Sequence, residues 1–375
     1  MVLPEHLQQI DRDLIHLLSK RISVLAASKV PSIQEQLSSY RALLMQAGIP
    51  ESTWSGIVAG CMAALASVPS CHQKQPLRRI TVVGGRGAMG CFFTERLSAA
   101  GHEVSVLEHD DWDRADVLLG TADLVLICVP LKATVAVIRR VAPYLSRDTI
   151  LADIASTKRE SVEAMMECHS GPVVGLHPMF GPGVGSFLGQ KVMVCPGREP
   201  DAFQWLLDLI EGDGGRLVPC TPDEHDRMMV FVQAIRFFSN FSLGTFLAEE
   251  GFDIEQSLEF SSPLYRIEVN TINRLLAQDA ALYVDILLAS DERCAAIERL
   301  VKTCDRLANL LAQGNRAELI HEFETARQAF RDDAGQALRE TNHVINHLSA
   351  FLAADQVEHH ERIDRQTMKS YRYRV

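Results

Sequence analysis

The sequence predicts an α/β fold. A Rossmann-type, doubly wound, mostly parallel sheet is preceded by a small all-α domain and followed by a larger all-α one. Three observations carry this. Short β-branched runs alternate with helical segments between Ile80 and Pro222. A glycine cluster follows the first of those runs, and no strand pattern survives outside the interval. The 375 residues suit two or three domains, at roughly 100 to 200 residues each. The predicted boundaries are 1–70 for the first helical domain, 71–78 for a linker, 79–222 for the α/β domain and 223–375 for the second helical domain.

In chain order, Leu7, Ile10, Leu14, Leu17, Leu18, Ile22 and Leu25 fall on one helical face. A second helix spans Ile33 to Gln46 and stops at the breaker Gly48-Ile49-Pro50, and a third spans Thr53 to Ala66. The stretch "SVPSCHQKQPLRR" has no periodicity and reads as a linker. Seven strand candidates follow: "ITVVGG", "EVSVLE", "LVLICVP", "TILADIAS", "VVGLHPMF", "KVMVCP" and "RLVPCTP". Amphipathic segments over 223–250, 262–276, 280–313 and 316–352 complete the chain.

Composition narrows the function. A formal charge of −11 argues against a nucleic-acid surface, which needs clustered Lys and Arg. The nine cysteines are scattered without a CxxC pair, so they read as small buried hydrophobes in a reducing compartment, with no metal implied. No run of about 18 apolar residues and no basic n-region ahead of an apolar core appears, so a membrane span and a secretory signal are both unexpected. A cytoplasmic protein is the expectation.

Gly85-Arg86-Gly87-Ala88-Met89-Gly90 fits GxGxxG between a strand and a helix. In that setting Gly85 permits the tight turn, Gly87 lets the backbone approach a pyrophosphate, and Gly90 allows close packing of the helix whose N-terminus faces it. Glu108 ends the next strand, where a carboxylate bonds a ribose 2′-OH and repels a 2′-phosphate. NAD is favoured over NADP.

The phrases "EHDDWDRAD", "LHPMFGP", "EHDRMM" and "SSPLYRIEV", with the domain order, resemble the prephenate dehydrogenase family. More closely, the chain resembles its bifunctional chorismate mutase/prephenate dehydrogenase branch, the T-proteins. The resemblance implies an NAD-binding domain, a helical domain that makes a homodimer, and oxidative decarboxylation of prephenate to 4-hydroxyphenylpyruvate. That reaction is helped by a hydrogen-bond acceptor on the C4 substituent, where positive charge develops as hydride leaves. His177 matches the family's catalytic histidine. Ser156 of "DIASTK" matches a serine that holds the same substituent, while Lys158 reads equally well as a solvated charge. Arg266 matches a carboxylate-binding arginine, against the plainer role of an ion pair with Glu268 or Asp285. His225 and Asp226 match a motif near the domain junction and are read first as a helix start.

Two departures from the family matter. The first-helix arginine of the mutase falls on Pro4, and the shortened connection between helices one and two removes the place of its lysine, leaving Glu35 and Arg21 as remnants. The first domain is therefore expected to be a vestigial mutase. Phe237 of "IRFFSNF" stands where the T-proteins have a histidine beside the substrate, a lost polar contact of very roughly 1 to 3 kcal/mol. The resemblance ties that histidine to tyrosine inhibition, so Phe237 reads either as lost feedback or as a changed substrate; with the missing mutase, 4-amino-4-deoxyprephenate, oxidised to 4-aminophenylpyruvate for aminophenylalanine and antibiotic synthesis, is favoured over prephenate in tyrosine synthesis. A non-catalytic NAD-binding regulator would not need His177, Ser156 and Arg266 together. A β-hydroxyacid dehydrogenase would need a helix-borne lysine, and from Gly181 to Asn273 only Lys191, in a strand, is present.

Overall fold

The computed structural model describes residues 3–66 and 76–372. Most of the predicted linker, with Cys71, lies outside the described residues. Three helices come first: α1 (Glu5–Ala26), α2 (Ile33–Gln46) and α3 (Glu51–Ala66). Ser32 and Glu35 start α2 as a reciprocal capping box, so Glu35 serves as a helix cap.

The α/β stretch runs β1 (Arg79–Val83), α4 (Ala88–Ala99), β2 (Glu103–Leu107), α5 (Ala115–Gly120), β3 (Leu124–Ile127), α6 (Thr134–Val141), β4 (Ile150–Asp153), α7 (Arg159–Cys168), β5 (Val173–Pro178), β6 (Lys191–Arg198), α8 (Gln204–Gly212) and β7 (Arg216–Pro219). All seven expected strands form one sheet in the order β2-β1-β3-β4-β5-β6-β7. Only the β5–β6 pair is antiparallel, with His177 opposite Met193. Apolar side chains cover both faces, as a mostly parallel sheet requires. One face is built on Phe92, Phe93, Phe187 and Trp205, the other on Leu107, Leu119, Ile138 and Met165. Strand order reverses between β1 and β3, and a crevice at such a switch point is where these sheets bind ligands.

Beyond the sheet, α9 (Pro222–Met229) passes through a π-helical turn at Val230–Ile235 into α10 (Arg236–Glu249). Among the described residues this 28-residue helix is the one long and apolar enough to cross a membrane by length and composition. Then come α11 (Ile254–Glu259), α12 (Pro263–Leu276), α13 (Ala280–Leu287), α14 (Asp291–Ala312), α15 (Arg316–Ala329) and α16 (Ala334–Arg372). Each of the last two predicted segments is in fact two helices. Asp279 caps α13 and the Ser290 hydroxyl accepts from Arg293 N, which restarts the chain as α14. Asn315 caps α15.

The chain divides into two compact units, Met1–Ser28, Cys61–Ser239 and Asp279–Ile297 in one, Lys29–Gly60, Asn240–Gln278 and Glu298–Val375 in the other. The α/β stretch is whole within the first. The N-terminal helices are shared between the two. In α1, Leu25 is buried and Leu7, Ile10, Leu14 and Leu17 are exposed.

The turn after β1 depends on absent side chains. A Cβ on Gly90 would lie 2.2 Å from the Gly84 carbonyl oxygen, and backbone cannot swing away as a side-chain tip does. Gly90→Ala is expected to destabilise the protein by about 1 to 3 kcal/mol, the usual cost of overpacking, read as a lower denaturant midpoint at unchanged slope.

Candidate active site

The glycine turn has the geometry of a phosphate cradle. The positive backbone angle is carried by Gly84, at φ 81°, one residue before the position the motif assigned to the tight turn. Gly85 instead lets β2 close in, since its Cβ would sit 2.7 Å from Val106. Gly87 is the N-cap of α4 and supplies no capping side chain, which leaves the first N–H groups of that helix for a ligand. Ala88 and Met89 form its first turn. Glu108, just past β2, accepts a hydrogen bond from Arg86 N at 2.7 Å, so its carboxylate is anchored at the rim of the turn. A Cβ-free cradle, an uncapped helix end and an acid in reach fit NAD and disfavour a 2′-phosphate.

At the far side of the switch point lies a buried chain of polar groups. His177 is at the end of β5, with every residue of that strand buried. Its Nδ1 is 2.8 Å from His225 Nε2, and His225 Nδ1 is 2.7 Å from Asp226 Oδ1. Asp226 also accepts from Lys158 N at 2.8 Å and Arg159 N at 3.0 Å, capping α7 from a different element. Burial pushes the Asp226 carboxyl up, but the hydrogen bonds from His225 and the two backbone N–H groups outweigh it and hold the acid below its ordinary value. Burial lowers both imidazoles, His177 well below the ordinary 6.5, with neighbouring positive charge adding to it at His177.

These states fix the protons. An ionised Asp226 must receive the Nδ1 proton of His225. Neutral His225 then presents a lone pair at Nε2, which must receive the Nδ1 proton of His177. His177 Nε2 is left as an acceptor. Gln233, on the π-helical turn, meets it with its amide nitrogen at 3.2 Å.

Further residues brace this chain. Lys158 is fully buried and its ammonium donates to Asp153 Oδ2 at 2.6 Å and to the Leu176 carbonyl at 2.8 Å, which ties β4 to the residue before His177. It is not a solvated charge. Gly175 makes room for it, since a Cβ there would meet Lys158 Cδ at 3.1 Å. Arg293 is 2 % exposed, donates to the Ile286 carbonyl at 2.5 Å and reaches the Ser156 carbonyl at 3.5 Å. Ser156 is half-buried on the bend between β4 and α7, with β4 beside β5 in the sheet.

The expected residues thus divide. His177, Ser156 and Phe237 share a unit. Phe237 is buried, edge-to-face with Tyr283 at 4.8 Å and under the Arg236 guanidinium at 4.9 Å. Arg266 belongs to the other unit, in the first turn of α12, and the ion pairs found among the described residues do not include one with Glu268. Asp285 pairs with Lys132 at 2.5 Å. In that second unit a cavity of about 600 Å³ is lined by Arg274, His343, His347 and Phe351 among others, residues the sequence reading passed over. His225 and Asp226 stand near the start of α9, as expected, and also join the buried polar chain. Thr221 and Glu224 form the capping box of α9, leaving His225 and Asp226 to face inward.

A dinucleotide cradle at the switch point and a buried acid–base chain on the same sheet define an NAD-dependent dehydrogenase. Residues 98–219 match the family description "Prephenate dehydrogenase, nucleotide-binding domain", and residues 221–325 match "Prephenate dehydrogenase, dimerization domain". The T-protein of Enterobacter agglomerans is 37% identical over 361 residues, 92% of this chain and 96% of that one. The T-protein of Haemophilus influenzae is 34% identical over 359 residues, 92% and 95%. The chain belongs to the prephenate dehydrogenase family. A 4-amino-4-deoxyprephenate dehydrogenase of Streptomyces pristinaespiralis is more distant, 26% identical over 255 residues, 63% of this chain and 86% of that one. Among solved structures, prephenate dehydrogenase from A. aeolicus, in complex with hydroxyphenyl propionate and NAD+, shares the fold at TM-score 0.56 and 17% identity, covering 69% of this chain and 99% of that one.

Stability should follow the two buried imidazoles. Their folded values lie below the unfolded 6.5, so the unfolded chain binds more protons as pH falls below that point. Stability is full above pH 6.5 and is lost as pH drops towards the folded values, by up to about 1.4 kcal/mol per pH unit for each histidine. Unfolding free energies measured from pH 7 downward should show this slope, and His225→Gln should make it shallower.

Proposed function

We propose that this protein oxidatively decarboxylates a prephenate-type cyclohexadiene, with His177 Nε2 as the acceptor for the C4 substituent. The observation that carries the reading is the Asp226–His225–His177 chain, which leaves a buried lone pair at the end of β5. NAD, held by the glycine turn and Glu108, supplies the hydride acceptor.

His177 works by taking the hydrogen bond, and transiently the proton, of the C4 substituent as hydride leaves that carbon. The electron pair of the bond to the departing carboxylate flows into the ring, CO2 is released, and aromatisation drives the step. The proton returns from His177 to the substituent. Burial favours a neutral imidazole at rest, and Asp226 compensates the charge when His177 takes the proton, conducted through His225. Ser156 flanks the same substituent from the β4–α7 bend, and Arg293 holds that bend by its carbonyl. Arg266 is assigned to a substrate carboxylate, as a fixed guanidinium suits. A homodimer through the C-terminal helices fits the second matched family domain.

Prephenate leads as substrate, because the relatives that match nearly the whole chain are T-proteins. This reverses the order that the sequence departures favoured. The amino analogue stays as a second reading on one observation, the Phe237–Tyr283 ring pair where an imidazole is expected. The first helices are assigned no mutase activity, since Pro4 is only the N-cap of α1 and Glu35 is spent on capping Ser32.

The test is NADH formation from each compound at equal NAD. Wild-type protein should turn over at least one of them. His177→Asn should lower kcat by about 10²- to 10⁴-fold, the usual worth of a positioned acid–base group, at unchanged NAD affinity, while Arg266→Ala should act mainly through KM. An unchanged kcat in His177→Asn would refute the assignment.

A further inference from the structure

Residues Asp279–Ile297 belong to the unit that holds the α/β stretch, while the chain on either side of them belongs to the other. That short return carries Arg293, which is 2 % exposed. Its guanidinium donates to the Ile286 carbonyl and reaches the Ser156 carbonyl, both of them neutral groups, and no ion pair with it is found among the described residues. A buried cation without a carboxylate is costly. A neutral donor would serve two carbonyls without that cost, so the charge, and not the donors alone, is what this position holds.

Arg293 and Asp226 grip the same bend, Ser156 to Arg159, with opposite charges. Arg293 meets its first carbonyl at 3.5 Å, and Asp226 accepts from the Lys158 and Arg159 N–H groups at 2.8 and 3.0 Å. Asp226 is also the anchor of the histidine row, so the charge of Arg293 is felt along that row. The groups that bear on His177 are His225 and Asp226 on α9, Lys158 with its partner Asp153 at the end of β4, and Arg293 on α14. Burial does most to hold the His177 ring below its ordinary value; His225, Lys158 and Arg293 add to it, and Asp226 opposes it. Lys158 has its own carboxylate at 2.6 Å, and Arg293 has none.

We propose that Arg293 is a positioning residue for the hydride step: it fixes the Ser156 bend through the carbonyl of that bend, and its unpaired charge opposes a resting proton on His177. The inference rests on the reading of His177 as the C4 acceptor. Arg293 itself is covered, and it acts through Ser156 and the histidine row. A site that must take a proton from the substrate and give it back needs its acceptor empty at the start, and a fixed cation nearby secures that.

The experiment follows kcat and the pH profile of kcat/KM for wild type, Arg293→Gln and Arg293→Lys, with whichever of prephenate and its 4-amino analogue the wild type turns over. Both variants lose the planar fork that spans two carbonyls, but only Arg293→Gln loses the charge. In each, the plateau kcat should fall about 10- to 100-fold as the Ser156 bend shifts. The acid limb should move up by about one pH unit in Arg293→Gln, because His177 then takes a proton more readily, and should stay at the wild-type position in Arg293→Lys. Should Arg293→Gln not fold, Arg293→Met takes its place with the same expectation. An acid limb unmoved in the neutral variant, or moved equally in both, would overturn the inference alone and leave Arg293 a packing residue. Wild-type protein inert towards both compounds would overturn the reading of the site and this inference with it.

Discussion

An ionised carboxylate in a nearly dry place organises this site. Asp226 accepts three N–H groups at once, from His225 and from the first two backbone amides around the start of α7. It is a helix cap and an electrostatic anchor together. Because it is charged, the proton of His225 must point at it, and every later proton in the row has its position set. The low dielectric around the row makes a wrongly placed proton costly and so favours this arrangement.

The fold delivers the pieces of that row from separate elements. β5 brings His177, α9 brings His225 and Asp226, and the bend after β4 brings the amides of Lys158 and Arg159. The buried Lys158–Asp153 pair joins the two strands just below the reacting end, with its ammonium shared with the Leu176 carbonyl. Removing either charge would strand the other, which costs far more than the pair itself returns. On the opposite side of the switch point, the glycines hold β1, β2 and α4 too close together for side chains, and that proximity exposes the α4 amides to a phosphate. The glycine turn and His177 thus both stand where parallel strands of one mixed sheet end.

Local signals were legible and distant pairings were not. The seven strands, the glycine turn and Glu108 each have a signature within a few residues: a β-branched run, a spacing of glycines, an acid at a strand end; His177 stood out only through the resemblance of "LHPMFGP" to the family. His225 lies 48 residues from His177, and no periodicity links them. The phrase around it looked like a helix start because a capping box does stand there, on Thr221 and Glu224. Lys158 and Arg293 were hidden for a related reason. A charge in an amphipathic pattern reads as solvent-facing, and only the tertiary structure supplies the carbonyls and carboxylate that let these two be buried. The first helix showed its apolar stripe correctly, but periodicity cannot say what covers a stripe, and here most of it is exposed. Helix breaks at 288–290 and 330–333 carry neither Gly nor Pro, so the sequence pattern ran through them.

The central claim is the proton arrangement of the histidine row, and the direct measurement is ¹⁵N NMR of protein labelled at histidine, with His177 and His225 assigned by substitution. At neutral pH the account predicts two neutral rings, each protonated at Nδ1 and bare at Nε2, persisting well below pH 6.5. A His177 protonated at Nε2, or an imidazolium at either position at pH 7, would contradict it.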